Sequence, residues 1–74
     1  MQYRERIRAL REDNDYTQTQ IANILNIGQR TYADYELGKT RIPIDSLIRL
    51  AKLYDVDMNY ISGVSNIPNK YPIQ

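Results

Sequence analysis

Seventy-four residues, 42% of them apolar, make one small domain, because a chain this short buries only about 60% of the surface its unfolded form exposes. The absence of Cys and His excludes disulfide frameworks, Cys/His zinc sites, thiol nucleophiles and His-based triads, so neither an enzyme nor a cofactor is expected. Ten Lys/Arg against nine Asp/Glu leave a net charge of +1, too balanced for binding by bulk electrostatics, so any anion must be met by local placement.

From Gln2 to about Asn14, Tyr3, Ile7 and Leu10 fall at i, i+4 and i+7, which predicts an amphipathic first helix. Asp13-Asn14-Asp15 breaks it with turn formers. Thr17 then opens a second helix with a capping box, T-x-x-Q, completed by Gln20, and Tyr16 and Ile21 have the spacing of a hydrophobic staple. Ile21, Ala22 and Leu25 face inward, and Asn26 ends the helix as a residue that tolerates left-handed backbone.

A third helix, about Gln29 to Leu37, divides into two faces. Tyr32, Tyr35 and Glu36 lie opposite Arg30, Ala33, Asp34 and Leu37, and Gly38 terminates it. After a short basic loop from Lys39 to Pro43, the residues Ile44, Leu47, Leu50, Ala51 and Tyr54 crowd one third of a helical circumference, predicting a buried fourth helix. Asp57 can cap a fifth, short helix that returns Met58 and Ile61 to the core. The fold class is therefore all-α with five helices. Residues 1–63 form the domain, and residues 64–74, with Pro68 and Pro72, read as an irregular tail. No apolar run approaches the ~18–20 residues that span a bilayer, and the opening residues lack a signal-peptide core, so a cytoplasmic location is expected.

The segment from Thr17 through Ala22 and Gln29 to Lys39 resembles the helix-turn-helix of Cro and phage-repressor regulators, the xenobiotic-response-element-like family. Ile7-Arg-Ala-Leu-Arg11, Tyr35-Glu36-x-Gly-Lys39 and Leu50-Ala-Lys-Leu-Tyr-Asp-Val56 extend the likeness over residues 4 to about 63. Asn26 replaces the usual turn Gly, and Gly28 stands where Ser commonly caps the recognition helix. The resemblance implies a lambda-repressor-like fold and sequence-specific binding of double-stranded DNA by a small bacterial or phage transcriptional regulator, a repressor by expectation. An antitoxin of a toxin–antitoxin pair, a protein-binding module with secondary DNA contact, is the chief alternative, and a small enzyme or nucleotide-binding protein is the third.

On the DNA reading, Gln29, Arg30, Ala33 and Asp34 are the candidate base contacts. A glutamine amide pairs bidentately with adenine, arginine with guanine, and a methyl meets thymine. Thr17, Gln18, Thr31, Lys39 and Arg41 are the candidate phosphate contacts, Gln18 because it sits among unpaired N–H groups at a helix start. Each also has a plain structural alternative: a cap for Thr17, solvated surface for Gln29 and Arg30, a solvated loop for Lys39 and Arg41. For Asp34, pairing with Arg30 at i, i+4 competes with acceptance from cytosine N4 and with a protein-facing surface. The resemblance further implies that Glu36 pairs with Arg11 as a structural bridge and that Gln18 supports Gln29. With Glu36 internally paired, the residues from Gln18 to Arg41 rise from a net charge of +1 to +2. So weak a grip implies a homodimer on an inverted-repeat operator, with Leu53, Met58 and the segment from Tyr60 to Tyr71 as the expected interface and Ile67, Pro68, Tyr71 and Ile73 as a strap. The expected site is cytoplasmic, at the nucleoid when bound.

Overall fold

A computed structural model describes residues 1–72. Its helices are α1 (Tyr3–Asp13), α2 (Gln18–Leu25), α3 (Gln29–Leu37), α4 (Ile44–Tyr54) and α5 (Met58–Ile61), with no strand among the described residues. The expected all-α, five-helix architecture is present.

The same device ends the first four helices. A residue in the left-handed region follows each one: Asp15, Asn26, Gly38 and Asp55, with φ of 60°, 60°, 77° and 54°. The next N–H then bonds back across the turn, as Tyr16 does to the Arg11 carbonyl, Ile27 to Ala22, Lys39 to Asp34 and Val56 to Ala51. These pairs, with the tighter bond from the left-handed residue itself, are Schellman closures that satisfy otherwise orphaned carbonyls. Asn26 and Gly38 were expected in this role. Asp15, expected only as a breaker, and Asp55 do the same work, because Asp also tolerates αL better than most residues.

The starts of α2 and α5 are fixed by side-chain caps. Thr17 Oγ1 accepts from the Gln20 N–H at 3.0 Å while Gln20 Oε1 accepts from the Thr17 N–H at 2.8 Å, the reciprocal capping box. Asp57 Oδ1 accepts from the Tyr60 N–H at 2.8 Å and caps α5.

Ile7, Ile21, Tyr32, Leu50, Ala51 and Ile61 are fully buried and form the centre of the core. Ala22 is buried where α2 crosses α3, and its small side chain permits that approach. One core expectation is overturned: Ile44 is 62% exposed. It begins α4 directly after Pro43, so periodicity places it on the apolar stripe, but burial along that stripe starts only at Leu47. Conversely, Ile24 and Leu53, which fall off the apolar stripes of their helices, pack partly buried against the core.

The segment after α5 folds back onto the domain. Ser65 donates to the Asn59 carbonyl, Asp57 to the Asn69 carbonyl at 2.8 Å, and the Tyr71 N–H to Asp55 Oδ1 at 3.3 Å. Tyr71 also packs against the core, and Lys52 lies over its ring at 5.7 Å. Leu53, Met58, Tyr60 and Tyr71, expected at a dimer surface, are thus partly consumed internally. Ile67 remains exposed, and Ile73 lies outside the described residues.

Candidate nucleic-acid interface

The site is built from α1 outward. Arg11, in the last turn of α1, donates from Nε to Glu36 Oε2 at 2.7 Å and from Nη2 to Glu36 Oε1 at 3.1 Å. Its Nη1 donates to the Tyr16 carbonyl at 3.0 Å. This two-pronged ion pair is nearly dry, with side-chain exposures of 13% for Arg11 and 3% for Glu36. Such forked geometry fixes orientation as well as charge. It ties α3 to α1 and takes Glu36 off the outer surface.

Glu36 then passes the order on. Its Oε1 accepts from Gln18 Nε2 at 3.2 Å, and Gln18 Oε1 accepts from Gln29 Nε2 at 2.8 Å. A chain of hydrogen bonds therefore runs from the guanidinium of α1 through α3 and α2 to the first residue of α3. Burial alone favours the neutral form of Glu36, but the Arg11 guanidinium, with the neighbouring Tyr32 hydroxyl and the Gln18 amide, overrides it and holds the carboxyl below the ordinary range. Behind the pair, the buried Tyr32 and Tyr54 hydroxyls fall short of hydrogen-bonding geometry with any partner among the described residues. Burial, reinforced by the Glu36 carboxylate, drives both phenols well above their ordinary value.

The outer surface carries the expected residues. Gln29, Arg30 and Thr31 are exposed in the first turn of α3, while Ala33 and Asp34 are half-buried further along it. Leu37 completes that face at 61% exposure. The expected Arg30–Asp34 pair is absent: the ion pairs among the described residues are Arg11–Glu36 and Arg8–Glu12. An i, i+4 pair of exposed side chains gains only about 0.3–0.5 kcal/mol, too little to offset the freedom it removes from Arg30. Of the three readings of Asp34, local pairing is the one this geometry disfavours.

At the start of α2, Thr17 Oγ1 is occupied as an acceptor by its cap but keeps its O–H to donate. The N–H groups of Gln18 and Thr19 find no intramolecular partner among the described residues. With the Gln18 amide engaged by Glu36 and Gln29, these backbone N–H groups remain as donors at the helix start.

The basic loop is held at both ends. Lys39 and Thr40 donate to the Asp34 carbonyl at 3.0 and 3.4 Å, and the Ile42 N–H donates to the Tyr3 hydroxyl at 3.1 Å. Between these anchors Lys39, Thr40 and Arg41 are exposed. Gly38 has a positive φ that favours glycine, and a Cβ there would displace the Arg4 guanidinium, which lies across it. Arg4 was missed by sequence reasoning and adds a cation beside the loop. Arg49 of α4 was missed as well. It donates to the Ile24 carbonyl, and at 3.4 Å to that of Leu25, placing positive charge at the C-terminus of α2.

The Helix-turn-helix family model matches residues 7–61 of this chain, which includes every element of the site from Arg11 to Arg41. The chain belongs to the helix-turn-helix family. It is 37% identical over 67 residues to the uncharacterized HTH-type transcriptional regulator YobD of Bacillus subtilis strain 168, covering 90% of this chain and 60% of that protein. It is 35% identical over 54 residues to the cryptic phage CTXphi transcriptional repressor RstR of Vibrio cholerae, covering 73% of this chain and 49% of the repressor. A crystal structure of a transcriptional regulator from Listeria innocua superposes with a TM-score of 0.80 at 34% identity, covering 84% of this chain and 58% of that one. The helix-turn-helix chain thus spans about half the length of the relatives it matches, and the expected resemblance is borne out over its domain. No described helix is long and apolar enough to cross a membrane, and no group of three or more Asp or Glu side chains is placed to hold a metal ion among the described residues.

Proposed function

We propose that this helix-turn-helix domain binds double-stranded DNA sequence-specifically, with α3 in the major groove, and regulates transcription as a repressor that acts by occupying its operator. The observation that carries the reading is the exposed first turn of α3, where the Gln29 amide is held by Gln18 and followed by exposed Arg30, with exposed Lys39 and Arg41 in the loop beyond the other end of the helix. Gln29, Arg30, Ala33 and Asp34 then meet base edges, and Thr17, Gln18, Thr31, Lys39 and Arg41 meet phosphates. The names of RstR and YobD, a transcriptional repressor and an HTH-type regulator, support the same class.

A face with so few cations grips too weakly to select one site in a genome, so the domain works as a homodimer on an inverted repeat with half-sites about 34 Å apart. Exposed Val64 and Ile67 support placing the contact on the C-terminal side. In the cell the protein is cytoplasmic and joins the nucleoid when bound. Selection of duplexes from a random pool tests the reading, followed by two variants. Gln29→Ala weakens the selected duplex by about 1–3 kcal/mol and relaxes choice at one base pair, while Lys39→Ala weakens all duplexes alike and lowers the salt slope by about one. Equal weakening of selected and random DNA by Gln29→Ala removes it from the base-reading set.

A further inference from the structure

The relay from Arg11 to Gln29 has a direction. An ionised carboxylate has only acceptors and a guanidinium only donors, so Glu36 can present nothing but oxygen to Gln18. Gln18 must turn its amide NH2 inward to Glu36 Oε1, at 3.2 Å, and its oxygen outward. Gln29 must in turn aim its NH2 at that oxygen, at 2.8 Å. Turning either amide over would set two oxygens against each other at hydrogen-bonding distance. What Gln29 has left for a ligand is one acceptor, Oε1, and one remaining N–H.

Resting on the reading of Gln29 as a base contact, we propose that ionised Glu36, acting through Gln18, sets the donor–acceptor order of the Gln29 amide and thereby makes the domain prefer adenine to guanine at the base that Gln29 meets. Adenine offers an N6–H donor and the N7 acceptor in the major groove, which match the free oxygen and N–H. Guanine offers two acceptors, O6 and N7, and needs two donors from one side. A glutamine free to turn over could supply them with its whole NH2 group. The locked one cannot, and it opposes guanine O6 with its own oxygen. Glu36 is on this account a positioning residue for specificity as well as a structural partner of Arg11.

The variant Glu36→Gln tests this in the full chain, because a carboxamide at that position can donate to Gln18 Oε1 and so allow the whole relay to reverse. The duplex selected by the unmodified protein is compared with the same duplex carrying G·C in place of A·T at the Gln29 contact. The expected result is a roughly tenfold fall in the adenine-to-guanine affinity ratio, within the range of one bidentate base contact. Gln18→Met, which cuts the relay but leaves the Arg11–Glu36 bridge in place, lowers the ratio likewise and decides the matter if Glu36→Gln does not fold. Side-chain amide NMR without DNA supplies a separate readout: the Gln29 NH2 loses its hydrogen-bonded signature in both variants.

A merely structural Glu36 would weaken both duplexes by the same factor. An unchanged ratio in both variants, where Gln29→Ala does alter it, therefore overturns the relay and leaves the DNA reading of Gln29 standing. If the amide signatures change as expected but Gln29→Ala leaves base preference intact, the base-contact reading has failed and the specificity role falls with it.

Discussion

Helix α1 carries two arginines, Arg6 and Arg11, that the fold takes out of water in opposite ways. Arg11 meets a carboxylate through two hydrogen bonds, and the pair joins α1 to α3. Arg6, only 4% exposed, meets no carboxylate among the described residues. Its guanidinium donates to the carbonyls of Tyr60 and Ser65 at 2.7 and 3.2 Å and to Asn66 Oδ1 at 2.9 Å, contacts Met1 Sδ, and lies 3.7 Å from the centre of the Tyr60 ring. A guanidinium stays charged wherever it is placed, so both must be fully partnered. One finds a single strong partner from another helix, which orders the outer face of the helix-turn-helix. The other gathers weak partners from irregular chain and thereby gives the segment after α5 a defined path. Gly63 belongs to the same arrangement: its φ is +86°, and a Cβ there would strike the Met1 backbone.

Removing one partner from each arginine separates these two roles. Glu36→Ala leaves Arg11 nearly buried without a counter-charge and is expected to cost about 3 kcal/mol in urea denaturation, with both arms of the helix-turn-helix loosened. Replacing Arg11 and Glu36 together by apolar residues of similar volume should cost much less, since no charge is stranded. Arg6→Met keeps the stem and strands only neutral acceptors, so a smaller loss of about 2 kcal/mol is expected. Its distinguishing sign is limited proteolysis, with cleavage appearing between residues 62 and 72 while α2 and α3 stay protected. Equal loosening of both regions by Arg6→Met would mean that the two arginines do not act separately.

Acid sharpens the same comparison. The Glu36 carboxyl titrates below its ordinary value of 4.5, so its stabilising contribution is present above that pH and is lost as the pH falls through the lower folded value. The unmodified domain should therefore lose stability in acid faster than Glu36→Gln, and the gap between them should close, whereas Arg6→Met should run parallel to the unmodified domain. In alkali the sign reverses. Tyr32 and Tyr54 have folded values raised above the ordinary 10.0, so stability is lost as the pH climbs past 10 and the unfolded phenols ionise. Both trends are read from chemical denaturation across pH. The smallest effect belongs to neither arginine: Gly28→Ser restores a side-chain cap to α3. The built Cβ meets only Thr31 Oγ1 at 3.9 Å, so a gain of a few tenths of a kcal/mol is expected in thermal melts.

Most of what shapes the helix-turn-helix is local, and local chemistry is legible in a sequence. The Thr17–Gln20 box, the left-handed Asn26 and Gly38, the inward Ile21, Ala22 and Leu25, and the two faces of α3 follow from rules that act within a few residues of one another. Glu36 and Arg11 were recognisable as partners only through family resemblance, because their separation of 25 residues carries no periodic signal. Tertiary structure alone decided the rest. Arg6 shares the apolar stripe of Tyr3, Ile7 and Leu10, three positions after Tyr3, but its main partners are backbone carbonyls more than fifty residues away, and a carbonyl has no residue type to search for. Ile44 has the right period for the core and no neighbour to bury it, while Arg30 and Asp34 have the right spacing to pair but too little to gain in water. Periodicity and spacing specify which side chains share a face. Whether another element covers that face, or leaves it to solvent, is settled only when distant parts of the chain pack together.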